Sequence, residues 1–202
     1  MARPARRRTQ EERREGTIRK LLDAATGALI DVGYGGATVQ VICDRAEVSQ
    51  GGLFRHFATR EELMVAVGED VGRRILEQYR GKFESRRKSA RPVELALELV
   101  REATRSRLNQ AWYELANAAR TNPRLKKALA PVAMQYHADI EAAARLLLPE
   151  LAAALGDRFS ILVDTIVAVF DGESVHRFVI ERPKLEARRL ELLLAFLEAL
   201  TA

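Results

Sequence analysis

A chain of 202 residues, 48% hydrophobic and 30% charged with a formal net charge of +5, has the size and balance of one or two packed domains. A single Cys and three His exclude an internal disulfide and leave too few ligands for a zinc cluster, so neither metal nor cofactor is expected. No apolar run reaches the roughly 18 residues that span a membrane, and no apolar core follows the basic N-terminus as in a secretory leader. The expected location is the cytoplasm, without a membrane partner.

The charge is concentrated at the start. Residues 1–20 hold eight basic side chains against three acidic ones. Residues 1–9 read either as a solubilising tail or as a basic arm that reaches phosphates or a minor groove. A first helix is expected over 10–32, with Ile18, Leu21, Leu22, Ala25, Leu29 and Ile30 as its buried stripe. Gly33, Gly35 and Gly36 end it.

Residues 38–57 then read as two short helices joined by a tight turn. Thr38 and Ser49 are the N-cap candidates. Leu53, Phe54 and Phe57 are expected to share a core stripe, which leaves Gln50, Gly52, Arg55 and His56 outward. Two glycines open the second helix at a cost of roughly 1 kcal/mol each in helix propensity. Close approach to another surface, such as a DNA major groove, explains that cost. A plain helical hairpin with a Gly-rich bend is the competing reading.

Thr59 and Glu62 form a Thr-x-x-Glu capping box for a helix running to about residue 82, with Leu63, Val67, Val71 and Ile75 or Leu76 on one face. Residues 82–91 read as a polar loop. Pro92 sits at N1 of the next helix, whose pattern continues past Ser106 to Ala119 either unbroken or with a kink. Asn122 and Pro123 open a helix to Leu148, residues 149–156 form a connection, and Asp157 caps a helix over 158–180. After Pro183 a last helix runs to about residue 200. Pro is scarce, Leu, Ala, Arg and Glu dominate, and no period-2 alternation occurs. The expected fold is all-α, with about nine helices.

From Thr17 to Leu63 the chain resembles the N-terminal domain of the TetR family of transcriptional regulators. The resemblance rests on Leu21-Leu22-Asp23-Ala24-Ala25, Gly33, Thr38, Ile42-Cys43, Val48-Ser49-Gln50-Gly51-Gly52-Leu53-Phe54-Arg55-His56-Phe57 and Arg60-Glu61-Glu62-Leu63. Three positions depart from the family pattern. Phe54 replaces a Tyr and so lacks a hydroxyl that contacts phosphate. Glu47 replaces a Gly in the turn and brings a carboxylate towards the DNA side. Cys43 replaces a small Ala.

The resemblance implies an arm at 1–9, a helix-turn-helix DNA-binding domain at 10–58 and a regulatory and dimerisation body at 59–202. The implied partners are a palindromic double-stranded DNA operator, a second copy of the chain and a small apolar effector that releases the operator. Thr38, Ser49, His56 and Arg60 are expected at phosphates, and Gln40, Gln50 and Arg55 at base edges. Gly51 and Gly52 allow close approach, with room at Gly52 for a thymine methyl, and Arg45 and Phe54 complete the DNA-facing set. The helices over 158–180 and 184–200, apolar nearly all round and leucine-striped respectively, are expected to pair with a partner's. Trp112, Tyr113, Asn117, Met134, Tyr136, His137 and Phe170 are the effector candidates; each also has a plainer reading, with Trp112 and Phe170 at helical spacing more often core, Met134 a gap filler and His137 an exposed side chain.

Two other functional classes compete with this reading. An enzyme would need a nucleophile with a matching base, a phosphate loop or a metal motif, and none stands out. A helical interaction module that has lost DNA binding is the nearer alternative, because of Phe54 and Glu47.

Overall fold

The computed structural model describes residues 9–88 and 91–201. Among them are ten α-helices and no strand: α1 Gln10–Gly36, α2 Val39–Ala46, α3 Gln50–Phe54, α4 Arg60–Arg86, α5 Pro92–Thr104, α6 Arg107–Thr121, α7 Pro123–Leu147, α8 Pro149–Leu155, α9 Arg158–His176 and α10 Pro183–Thr201. They pack as two compact units, one of residues 9–71 with 110–130 and one of residues 72–109 with 131–201. Helices α4, α6 and α7 contribute to both. The expected arm lies, except for Thr9, outside the described residues.

In the first unit, α1 opens with a capping box that the sequence reading did not identify. Thr9 Oγ1 accepts from Glu12 N at 3.1 Å, and Glu12 Oε2 accepts from Thr9 N at 2.8 Å. Leu21, Ala25, Leu29, Ile42, Leu53, Leu63, Met64, Leu115 and Leu125 are fully buried. The regular path of α1 fails at Gly33, where φ is 69° and ψ 175°. Most side chains are strained there, and a Cβ would also sit 3.0 Å from Glu114 Oε2. Glu114 accepts instead from Tyr34 N at 3.1 Å, so α6 takes up a donor released by the break.

In the second unit, α4 continues to Arg86, four residues beyond the expected end. Phe83 is buried and stacks on Tyr79 with ring centroids 6.5 Å apart, against Leu95, Ala96 and Leu99. Burying that ring keeps the segment helical although its neighbours are charged. The chain breaks between α5 and α6: Ser106 Oγ accepts from Asn109 N at 3.2 Å, and Asn109 Nδ2 donates to Thr104 O at 3.2 Å. Residues 149–155, expected as a connection, form α8. Pro149 sits at N1, and Leu151 and Leu155, one turn apart, bury against Phe159. Asp157 is no cap: its φ of −65° and ψ of −22° are already helical, whereas a capping side chain needs extended backbone. Helix α9 stops at His176, four residues early.

An ionic cluster joins α5, α9 and α10. Glu173 and Glu186 are buried. Glu173 accepts from Arg101 at 2.8 Å, and also from Arg105 and Arg189. Glu186 accepts from Arg105 at 2.8 Å and from Arg177 at 2.7 Å. A buried carboxylate without such donors would carry a large desolvation cost.

Candidate nucleic-acid interface

Helices α2 and α3 are set by two caps and one unusual turn. Thr38 Oγ1 accepts from Val41 N at 3.3 Å, and Ser49 Oγ from Gly52 N at 3.1 Å. Each hydroxyl keeps its own hydrogen and is exposed, so each can donate to an outside acceptor. Between the helices Glu47 lies in the left-handed region, φ 55° and ψ 42°. Val48 N donates to Cys43 O at 3.1 Å and Glu47 N to Asp44 O at 3.4 Å, closing a Schellman motif. Glycine usually occupies that position. Glu47 is the only described non-glycine residue with positive φ.

Only Leu53 and Phe57 of the expected stripe are buried. Phe54 is 46% exposed. Helix α3 is a single turn of five residues, and Phe54 lies four after Gln50 on the outer side. The outward face is therefore Gln50, Gly51, Phe54 and Arg55, all exposed. A Cβ on Gly51 would meet nothing within 4 Å, which keeps the close-approach explanation open there. Gly52 has a local reason as well, since a Cβ would collide with Val48 Cγ1 at 2.8 Å.

Gln50 and Gln40 meet across the turn, Gln50 Nε2 donating to Gln40 Oε1 at 2.7 Å, and Gln40 Nε2 donates to Asp44 Oδ1 at 2.7 Å. Sequence reasoning missed Asp44. Its place four residues after Gln40 on an exposed face was the available signal. Arg45 pairs with Asp31 at 2.7 Å on the surface. His56 is half-buried, and its Nδ1 has no hydrogen-bond partner among the described residues. Arg60 is turned into the protein: Nε donates to Ala37 O at 2.9 Å, one Nη donates to Tyr34 O, and the guanidinium lies 4.1 Å from the Tyr34 ring centroid.

The effector candidates fall in both units. In the first unit, Trp112 and Tyr113 are half-buried, with Trp112 Cζ3 against the α4 backbone at Gly68, and Asn117 is exposed. In the second, Met134 is 74% exposed. His137 is exposed and lies 3.6 Å from Asp164. The Tyr136 ring lies on the backbone at Gly72; burial and then the Asp171 carboxylate raise its phenol above the ordinary range. Phe170 is fully buried with Leu97, Ile166 and Leu197. A cleft of about 530 Å³ in this unit is lined by other residues, among them Ile75, Tyr79, Lys82, Arg101, Arg105 and Leu190. Its lining comes from α4, α5 and α10 and from the residues joining α5 to α6, so no local sequence signal marked it.

Residues 21–67 match the bacterial regulatory proteins of the tetR family. An uncharacterized HTH-type transcriptional regulator of Mycobacterium bovis is 40% identical over 192 residues, covering 95% of this chain and 98% of that one. The chain belongs to the TetR family of transcriptional regulators. A solved TetR-family structure from Rhodococcus sp. shares the fold with a TM-score of 0.72 at 20% identity, over 93% of this chain and 100% of that one. The multidrug binding protein EbrR, solved in complex with imidazole, gives a TM-score of 0.65 at 21% identity, over 92% of this chain and 94% of that one. As in other TetR regulators, the helix-turn-helix of α2 and α3 is the DNA-binding element.

Proposed function

We propose that the protein is a homodimeric, cytoplasmic and non-enzymatic repressor that leaves a palindromic operator when a small molecule binds its second unit. The observation carrying the DNA half is the outward face of α3 beside the exposed hydroxyls of Thr38 and Ser49. In this reading those hydroxyls bind phosphates, Gln40, Gln50 and Arg55 meet base edges, and Arg45 and His56 lie at the margin of the contact. Arg60 acts behind it by holding the first turn of α4 in place.

The dimer half is supported by apolar side chains left outside on α9 and α10: Ile161, Leu192 and Phe196 are 68%, 69% and 52% exposed. Two-fold pairing through these helices covers them and matches the symmetry of a palindrome. Trp112, Tyr113, Asn117, Met134, Tyr136, His137 and Phe170 stay the effector candidates suggested by the family resemblance. The cleft over Tyr79 and Leu99 is the other candidate site, and EbrR offers a small-ligand precedent.

Selection of bound duplexes from a random DNA pool tests the reading. Enrichment of a two-fold symmetric sequence is expected. Enrichment of nothing favours the alternative suggested by Glu47 and Phe54, an interaction module of the same fold that no longer binds DNA.

A further inference from the structure

We propose that Asp44 is a positioning residue that sets which edge of the Gln50 carboxamide faces the DNA, and through it makes Gln50 a reader of adenine. The inference rests on the DNA-binding reading above.

A carboxylate only accepts hydrogen bonds, so the end of Gln40 that faces Asp44 must be its NH₂ group. The two atoms are 2.7 Å apart. That orientation turns Gln40 Oε1 towards α3. Only a donor can meet it there, and Gln50 Nε2 does so at 2.7 Å. On this exposed side chain, one N–H and the Oε1 are not used by that bond and can meet a base. Adenine offers a matching pair in the major groove, the N7 acceptor and the N6 amino donor. Reversing the relay would occupy Gln50 Oε1 with Gln40 and turn N–H groups outward, a pattern suited to the two acceptors of guanine. All three side chains are exposed, so water competes with the relay in the free protein. A groove that excludes water strengthens it and raises the cost of reversal.

Asp44 also brings a negative charge close to a polyanion. Its removal should therefore change two properties in opposite senses. Preference at one base pair falls, while binding to random DNA holds or tightens. A residue needed only for folding would weaken both.

The test is parallel selection from one random duplex pool with the full-length wild type, Gln50→Ala, Asp44→Asn and Asp44→Ala, each checked by thermal melting. The wild type should enrich adenine at one position per half-site, and Gln50→Ala should lose it. Asp44→Asn should lower the preference for adenine over guanine there by about tenfold, within the discrimination a bidentate contact supplies. Asp44→Ala should also lower it. If both Asp44 variants keep the wild-type preference while Gln50→Ala loses it, the relay is wrong and Gln50 reads its base unaided. If they lose affinity for every duplex and melt early, Asp44 is merely structural. If Gln50→Ala changes no position, the relay has no output. A wild type that enriches nothing overturns the DNA-binding reading itself.

Discussion

The guanidinium of Arg60 lies over the ring of Tyr34, 4.1 Å from its centroid, and Arg60 Nε donates to Ala37 O at 2.9 Å. One side chain on α4 thus fills the corner where α1 breaks and α2 begins. A phosphate-binding role alone would make Arg60→Ala lower DNA affinity and leave stability unchanged. The clamp gives another expectation. Losing two charge-assisted hydrogen bonds and a cation–π contact at a half-buried site should cost at least about 2 kcal/mol, read by urea unfolding. Lys at this position should recover only part, because it lacks the planar fork.

Glu47 holds a left-handed conformation that costs a non-glycine residue roughly 1–2 kcal/mol. Glu47→Gly should therefore stabilise the protein by about 1 kcal/mol, part of the gain being offset by the greater freedom of glycine in the unfolded chain. It also removes a carboxylate from the turn that precedes α3. Binding to any duplex should tighten, most at low salt, where charges are least screened. Anisotropy titrations at two salt concentrations, beside a melt, check both effects. Lower stability in the variant would refute the strain argument.

The ionic cluster predicts acid sensitivity with a definite sign. Burial pushes the Glu173 carboxyl up, but hydrogen bonds from Arg101, Arg105 and Arg189 outweigh it and hold the group below its ordinary 4.5. For Glu186, burial is likewise outweighed, by the Arg182 N–H and by Arg105 and Arg177. A carboxyl lowered on folding stabilises the native state above the unfolded value, and that contribution is lost as pH falls through the folded one. Unfolding free energy should thus decline as pH drops below 4.5. Glu173→Gln should be less stable at pH 7, by about 3–5 kcal/mol, and should show a shallower acid decline. Equal slopes in the two proteins would remove Glu173 from the explanation.

Leu192 is 69% exposed on α10 and tests the dimer. Leu192→Glu adds a charge to a surface that pairing would bury, so the variant should sediment as a single chain with an unaltered melt at low concentration. Operator affinity should fall as two-site binding is lost. A wild type that itself sediments as a single chain would contradict the proposed interface.

Much of this was legible in the sequence. Thr38, Ser49 and Thr59 accept from backbone N–H groups three residues on, and Asn122 Oδ1 accepts from Leu125 N at 3.1 Å. Caps are local chemistry, and local spacing exposes them. The misreadings have tertiary causes. A core stripe through Phe54 is more than a five-residue helix can sustain. Residues 149–155 lack a long periodic pattern and become helical because Phe159 covers Leu151 and Leu155. The break before α6 depends on the Asn109 amide reaching Thr104 O. Phe170 and Arg60 show the same limit at the sites. Spacing places a ring or a guanidinium on a helix, but only packing decides whether it ends in the core, at a corner or in solvent.

Methylation protection of guanine N7 on a selected duplex reads the major groove directly. Two symmetric protected patches are expected in the presence of full-length protein, centred about 34–36 Å apart or a multiple of that spacing, with protection reduced by Arg55→Ala. A single patch, or none while the protein remains bound, would contradict a pair of α3 helices seated in the major groove.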